Sequence, residues 1–330
     1  MAFPFCWNSD ARVSLILIRE TKDYAALRIA AIGECMIELT DRGPNYMGRG
    51  YGGDTLNTAV YMARLGEARG IQVDYATAIG DDPYSDEMMD GWRAEGIGTD
   101  LVWRQEGRVP GLYMIRTDKA GERTFHYWRS AAPAKEMFDG GAGRVLMDRL
   151  TKYDWLYFTG ITLGVLTIEG RLRLFETLRQ ARDNGARIVF DSNYRPRLWE
   201  DPEEARAAFE VALSWADIAL PSFEDEQALY GDQGPEDTAA RMVMAGVEEV
   251  VVKNAGGSVL VATEGGASVI ENTPHPAPVD TTAAGDSFNA AYLIARMRDE
   301  APEQAAQAGA GLAYQVIGVR GAIMPRDMDA

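Results

Sequence analysis

The chain has 330 residues, 46% apolar and 25% charged, the composition of an ordinary globular protein and the length of one large α/β domain or one domain with a small appendage. A net charge of -17 leaves no basic face for nucleic acid, and any anionic ligand must find a local positive potential from an arginine, a lysine, a metal or a helix N-terminus. Cys6, Cys35, His126 and His275 are the only cysteines and histidines; they make no disulfide framework, zinc set or HExxH motif, leave a Ser-His-Asp triad little to draw on, and suit a reducing cytoplasm.

The first 27 residues show no sustained period, and Asp10, Glu20 and Asp23 interrupt the pattern of a secretory signal. They are expected to be an N-terminal extension, either an overcalled translation start or a genuine arm, ahead of a domain running 28–330. No apolar run approaches the roughly 20 residues that cross a bilayer, so no membrane segment is expected. From Arg28 the chain alternates apolar runs with amphipathic stretches. Strands are expected at 28–33, 72–79, 154–159, 186–192, 216–220 and 248–253. Helices are expected at 55–65, 84–95, 167–184, 203–214, 235–245, 284–298 and 302–318. The strands are continuously apolar, which suits a parallel sheet buried on both faces, and the repeated βα units imply a doubly wound, three-layer α/β domain.

Two segments break that rhythm. Residues 34–50 and 108–129 read as strands with turns, the second as a hairpin turning at 118–122 around Gly121. Together they form either a small β-sheet lid over the carboxyl ends of the strands, where ligands bind in such folds, or a decorative edge hairpin.

DTTAAGDSF at 280–288 carries the sharpest chemical signal. Ala283, Ala284 and Gly285 lead into a helix whose apolar face is Phe288, Ala291, Tyr292 and Ala295. A helix opening on such small residues leaves backbone N–H groups unobstructed, and these attract an anion. Asp286 at that terminus can take a proton from an attacking hydroxyl while the N–H groups hold developing phosphoryl charge; alternatively it only complements the helix dipole. Near the start of the domain, Gly52 and Gly53 let the backbone approach a ligand, with Asp54 and Asn57 on the next turn. Asp54 is either a ligand contact or a helix N-cap.

DTTAAGDSF resembles the second signature, DTxGAGD, of the ribokinase-like (PfkB) carbohydrate kinases, and YGGDTLNTAVYMARLG at 51–66 resembles their first. GLYMIRTDKAGERTFHYWRSAAPA at 111–134 is similar to the lid of the 2-keto-3-deoxygluconate kinase branch, and FDSNYRPRLW at 190–199 to its sugar-acid site. The resemblance covers about 28–325 and implies a ribokinase-like α/β/α fold with a small β-sheet lid, a sugar-acid substrate, ATP with Mg2+ as cofactors, and a homodimer paired through the lid; it leaves a monovalent cation open. By it Asp286 is the catalytic base, with the amides of 283–286 as anion hole. Gly53, Asp54, Asn57, Tyr113, Arg129 and Arg195 orient the sugar acid, Arg195 by gripping its carboxylate. Relatives often carry Gly where Ala283 stands, and a methyl there is expected to require a negative φ.

The nucleotide side departs further from the pattern. Ser222 and Asp225 stand where relatives have N-x-x-E, so Asp225 is the expected magnesium and phosphate carboxylate. Asn193 is expected to face the phosphates, and Gly256 and Gly257 to approach the nucleotide. Lys253 either contacts phosphate or snorkels. The segment 308–325 resembles the part that packs against the adenine and the 280–286 loop. Arg197 and Arg116 read as surface charges, and Tyr113 and Trp128 fit lid packing as well as substrate contact. The rivals are a kinase for a neutral sugar, whose ligand would give a buried Arg195 no partner, and a non-catalytic sensor of the same fold. No GxxxxGK[ST] loop or protein-kinase signature is present.

Overall fold

The computed structural model describes residues 26–43, 45–117 and 123–326. Its strands are β1 (Arg28–Ile32), β2 (Met36–Gly43), β3 (Tyr46–Gly52), β4 (Gln72–Gly80), β5 (Val102–Gln105), β6 (Leu112–Thr117), β7 (Arg123–Trp128), β8 (Trp155–Thr159), β9 (Arg187–Asp191), β10 (Ile218–Ala219), β11 (Glu249–Val252), β12 (Val259–Thr263) and β13 (Gly266–Ile270). Its helices are α1 (Asp54–Glu67), α2 (Pro83–Ala94), α3 (Gly140–Leu150), α4 (Gly160–Val165), α5 (Ile168–Asp183), α6 (Pro202–Trp215), α7 (Phe223–Tyr230), α8 (Pro235–Met244), α9 (Ala284–Arg296) and α10 (Pro302–Val316).

The large sheet runs β13-β12-β11-β10-β9-β8-β1-β4-β5. It is parallel from β5 to β11, and β12 and β13 add an antiparallel edge. Alternate residues of one strand serve two cores: Ala30 and Ile32 of β1 join a cluster with α3, α5 and α6, while Ile29 and Ala31 join another with α1, α9 and α10. A sheet buried on both faces has no polar alternation to display, which is why its strands read as continuous apolar runs. Three helices, β5 and the β12–β13 hairpin lie outside the expected elements: α3, α4 and α7 are short or Gly-rich, and their periodicity is too brief to register.

β2 leaves directly from the carboxyl end of β1 and builds the second sheet, β3-β2-β6-β7. β2 pairs antiparallel with β3 and parallel with β6, so the segments 34–50 and 108–129 meet in one sheet although α1, β4 and α2 separate them. The expected turn at 118–122, with Gly121, lies outside the described residues, as does all but the last part of the 1–27 extension.

Close packing fixes where the strand ends meet. Gly160, the first residue of α4, follows β8, and a Cβ there would lie 1.9 Å from the Ser192 carbonyl oxygen and 2.5 Å from the Phe209 ring. Ser192 follows β9, so this glycine lets two site-bearing loops sit against each other. Gly160→Ala should therefore lower unfolding stability by about 1–3 kcal/mol, read as a lower denaturant midpoint at constant m-value; an unshifted midpoint would contradict the packing.

Candidate active site

Between the carboxyl ends of the strands and the lid lies a cleft of about 1920 Å³. Its lining includes Gly53, Asp54, Asn57, Tyr113, Arg129, Asn193, Arg195, Ser222, Asp225, Lys253 and residues 283–286, so the two signature helices and the lid converge on one space. Gly256 and Gly257 do not line it; they are exposed in the turn between β11 and β12, where Gly256 has a φ of 77°.

The floor is the N-terminus of α9. Ala283 caps it with φ 60° and ψ 16°, so the expectation of a negative φ fails. Ala283 is held in the left-handed region that favours Gly, and the surrounding chain supports that strain: Asp280 accepts N–H bonds from Thr282 (3.0 Å) and Gly321 (2.9 Å). The Ala284 N–H is already used in a turn with the Thr281 carbonyl (3.3 Å), which removes it from the expected anion hole. Those of Ala283, Gly285 and Asp286 have no partner among the described residues.

Asn57 Nδ2 donates to Asp286 Oδ2 at 2.9 Å, joining the two signature helices across the cleft and leaving Oδ1 without a partner among the described residues. Asp286 keeps some exposed surface, yet the protein packed around it, and next the Asp54 carboxylate, push its pKa up to about 7. Asp54 is not the N-cap of α1, a place taken by Gly53. A Cβ on Gly53 would lie 2.1 Å from the Glu34 carbonyl oxygen, so only Gly fits where α1 starts beside β1. Asp54 Oδ2 instead accepts from Thr159 Oγ1 (2.6 Å) and Asn193 Nδ2 (2.8 Å), and burial raises its pKa.

Lys253 lines the cleft from beneath and does not snorkel. Its Nζ is buried between Asp191 Oδ2 (3.0 Å) and Asn289 Oδ1 (2.9 Å), and Asn289 Nδ2 donates to the same Asp191 oxygen (2.6 Å). The position of a Cβ on Gly285 is 3.7 Å from that ammonium, which therefore lies just beneath the open amides. Asn193, expected at the phosphates, is turned to Asp54 and held at φ 28° by its own N–H bonding Asp191 Oδ1 (3.1 Å).

On the lid side, the Tyr113 hydroxyl donates to Glu38, which also accepts from Thr40 Oγ1 (2.9 Å); burial raises the Tyr113 pKa, so the phenol stays protonated. Arg129 pairs with buried Glu34, whose pKa burial also raises. Arg195 donates through Nη1 to the Tyr194 carbonyl (2.7 Å) and to Asp225 Oδ1 (3.2 Å) and Oδ2 (3.3 Å). Asp225, expected to help hold magnesium, thus already has a cation on both oxygens; its α7 is capped by Ser222, whose side chain makes no cap bond. Arg197 is exposed but not merely a surface charge, because its Nη1 donates to the Phe125 carbonyl of the lid (3.2 Å). Trp128 is exposed at the lid's edge strand. Glu34, Glu38, Asn289 and Thr159 escape the sequence reading, since lone polar residues flanking apolar runs carry no spacing signal.

The raised pKa of Asp286 has a consequence for stability. Its folded pKa of about 7 exceeds the ordinary 3.8, so the folded state binds the proton more tightly than the unfolded chain. That contribution is complete below about pH 4 and is lost as pH rises through about 7. Asp286→Asn should therefore stabilise the protein at pH 8 more than at pH 5, compared by denaturant midpoints; equal gains at both would contradict it.

A family model described as pfkB family carbohydrate kinase matches residues 26–328. The 2-dehydro-3-deoxygluconokinase of Escherichia coli (strain K12) is 46% identical over 91% of this chain and 98% of its own. That of Dickeya dadantii (strain 3937) is 44% identical over 90% of this chain and 96% of its own. The structure of aminoimidazole riboside kinase from Salmonella enterica, complexed with aminoimidazole riboside and an ATP analog, matches with a TM-score of 0.78 at 20% identity, covering 91% of this chain and 97% of that one, a likeness of ribokinase-like fold. A match that spans both signature helices, the lid and the cleft they enclose shows that this chain belongs to the pfkB family of carbohydrate kinases.

Proposed function

We propose that this carbohydrate kinase transfers the γ-phosphate of ATP to 2-keto-3-deoxygluconate (2-dehydro-3-deoxygluconate), giving 2-keto-3-deoxy-6-phosphogluconate, with Asp286 as general base. The substrate assignment is supported by relatives of that name at 40–46% identity. The observation that carries the chemistry is a carboxylate of pKa about 7 set among unpartnered amides.

The terminal hydroxyl oxygen attacks the γ-phosphorus as the bond to the ADP oxygen breaks, and the hydroxyl proton passes to the open Oδ1 of Asp286. Asn57 fixes the carboxylate by its other oxygen. The N–H groups of Ala283, Gly285 and Asp286 face the charge on the transferring phosphoryl, in the manner expected when positioning and electrostatics supply most of the catalysis. A pKa near neutrality suits the base, since enough is ionised at physiological pH while proton affinity remains useful. Tyr113 donates its O–H to Glu38, so its oxygen presents lone pairs to a sugar hydroxyl. Asp54, shared between Thr159 and Asn193, accepts from another. Arg195 grips the carboxylate that separates this substrate from neutral sugars.

Magnesium, when bound with ATP, would supply positive charge that offsets the phosphate charge. Among the described residues no group of three or more His, Cys, Asp or Glu could hold a metal unaided. Asp225, with a guanidinium on both oxygens, does not fit as its anchor. The reading includes work in the cytoplasm and pairing of two copies through the lid, where Tyr46 and Trp128 are exposed.

Asp286→Asn should lower kcat by about 10²–10⁴ in steady-state assays with ATP and the keto-deoxy acid. In the unsubstituted enzyme kcat/KM should climb as pH rises through about 7, because the base must lose its proton first. An unchanged kcat would remove Asp286 from the role. Arg195→Ala should raise KM for the acid sugar strongly and alter neutral sugars little; equal losses on both would favour a neutral-sugar kinase.

A further inference from the structure

Asp225 stands where relatives place a magnesium-associated carboxylate, yet its surroundings suit another task. The Arg195 guanidinium is held at one corner only: Nη1 meets the Tyr194 carbonyl at 2.7 Å and both Asp225 oxygens at 3.2 and 3.3 Å. Nε and Nη2 have no partner among the described residues, and Arg195 lines the cleft. The side chain is half exposed (49%) while that of Asp225 is mostly covered (22%), so the carboxylate is the fixed member and the guanidinium the presented one.

Both ends of the pair are anchored. Pro196 confines Arg195 to extended backbone, observed at φ -128° and ψ 99°. Tyr194 is buried, with its ring edge-on to Phe209. Asp225 lies in the first turn of α7, which is pinned to the strand end by the Phe223 N–H bond to the Lys253 carbonyl (2.8 Å). A guanidinium gripped at Nη1 offers its Nε–Nη2 edge, the two parallel donors that match a carboxylate.

We propose that Asp225 is a positioning residue for substrate specificity: it grips Nη1 of Arg195 and turns the free Nε–Nη2 edge toward the carboxylate of the sugar acid, instead of anchoring magnesium. This rests on the sugar-acid reading of the cleft. A metal ion at Asp225 would have to displace the Arg195 guanidinium or sit beside it, since that cation already occupies both carboxylate oxygens.

The test is steady-state kinetics of the full chain and of Asp225→Asn, Asp225→Glu and Arg195→Ala, on the keto-deoxy acid and on a neutral ketohexose, across a range of free magnesium. Asp225→Asn should raise KM for the acid about tenfold relative to KM for the neutral sugar, the scale of one hydrogen bond to a charged group. The magnesium concentration at half-maximal rate should stay where it is, and Asp225→Glu should recover part of the lost affinity. A fall in kcat on both sugars with a raised magnesium requirement would make Asp225 a metal ligand and overturn the proposal. An unaltered KM ratio in Asp225→Asn, with Arg195→Ala still impaired on the acid, would overturn it as well. An unimpaired Arg195→Ala would instead sink the sugar-acid reading beneath it.

Discussion

The cleft depends on one buried ammonium set among carboxylates. Asp54, Asp191 and Asp286 gather at the carboxyl ends of the strands, where burial first, and then neighbouring carboxylate charge, raises the proton affinity of Asp54 and Asp286. Lys253 answers that charge from below, bonded to Asp191 and Asn289, and so ties β9 and the end of β11 to the second turn of α9. This tie adds to the apolar packing of α9 and to the Asn57–Asp286 bond in fixing where its N-terminus lies above the sheet. The cost of burying such a pair is offset by hydrogen bonds supplied in place: Asn289 accepts from Lys253 through Oδ1 and donates through Nδ2 to Asp191 and to the Tyr157 hydroxyl oxygen.

The same arrangement links stability to chemistry. A carboxylate that needs a pKa near neutrality cannot be given several partners, and Asp286 receives one, Asn57. Asp191, which receives a lysine, an asparagine and a backbone N–H, is held for structure. Two acids a short way apart on neighbouring elements are thus divided between a scaffold and a proton acceptor by the bonds each is given. Ala283 extends the pattern, since a non-glycine residue in the left-handed region persists only where the chain around it is over-determined, here by Asp280 and the segment at Gly321.

The lid illustrates how tertiary pairing makes a site. β2 and β6 are separated by α1, β4 and α2, yet their parallel register places Glu38 beside Tyr113 and delivers the hydroxyl to the carboxylate. Arg129 at the end of β7 reaches back to Glu34 at the end of β1, so the lid is fastened to the sheet by an ion pair at its root. The cleft's arginines and carboxylates are therefore mostly committed to one another, and a negatively charged chain keeps only a few donors open for an anionic ligand.

What the sequence by itself determined is what local composition and short spacing encode. Continuous apolar runs pointed to a sheet covered on both faces, and the small residues of 283–285 before an amphipathic helix pointed to an accessible N-terminus with Asp286 on it. Gly52 and Gly53 marked a close backbone approach at α1, expected toward a ligand; what the fold sets against Gly53 is the Glu34 carbonyl. Only the tertiary structure decided which side chains are spent on each other. Lys253 to Asp191, Arg195 to Asp225 and Asn193 to Asp54 are pairs 62, 30 and 139 residues apart, and no period or motif encodes a partner at such distances. The sign of φ at Ala283 and the loss of its neighbour's N–H to a turn belong to the same class, because a backbone conformation that sequence disfavours is imposed from outside by the packing around it.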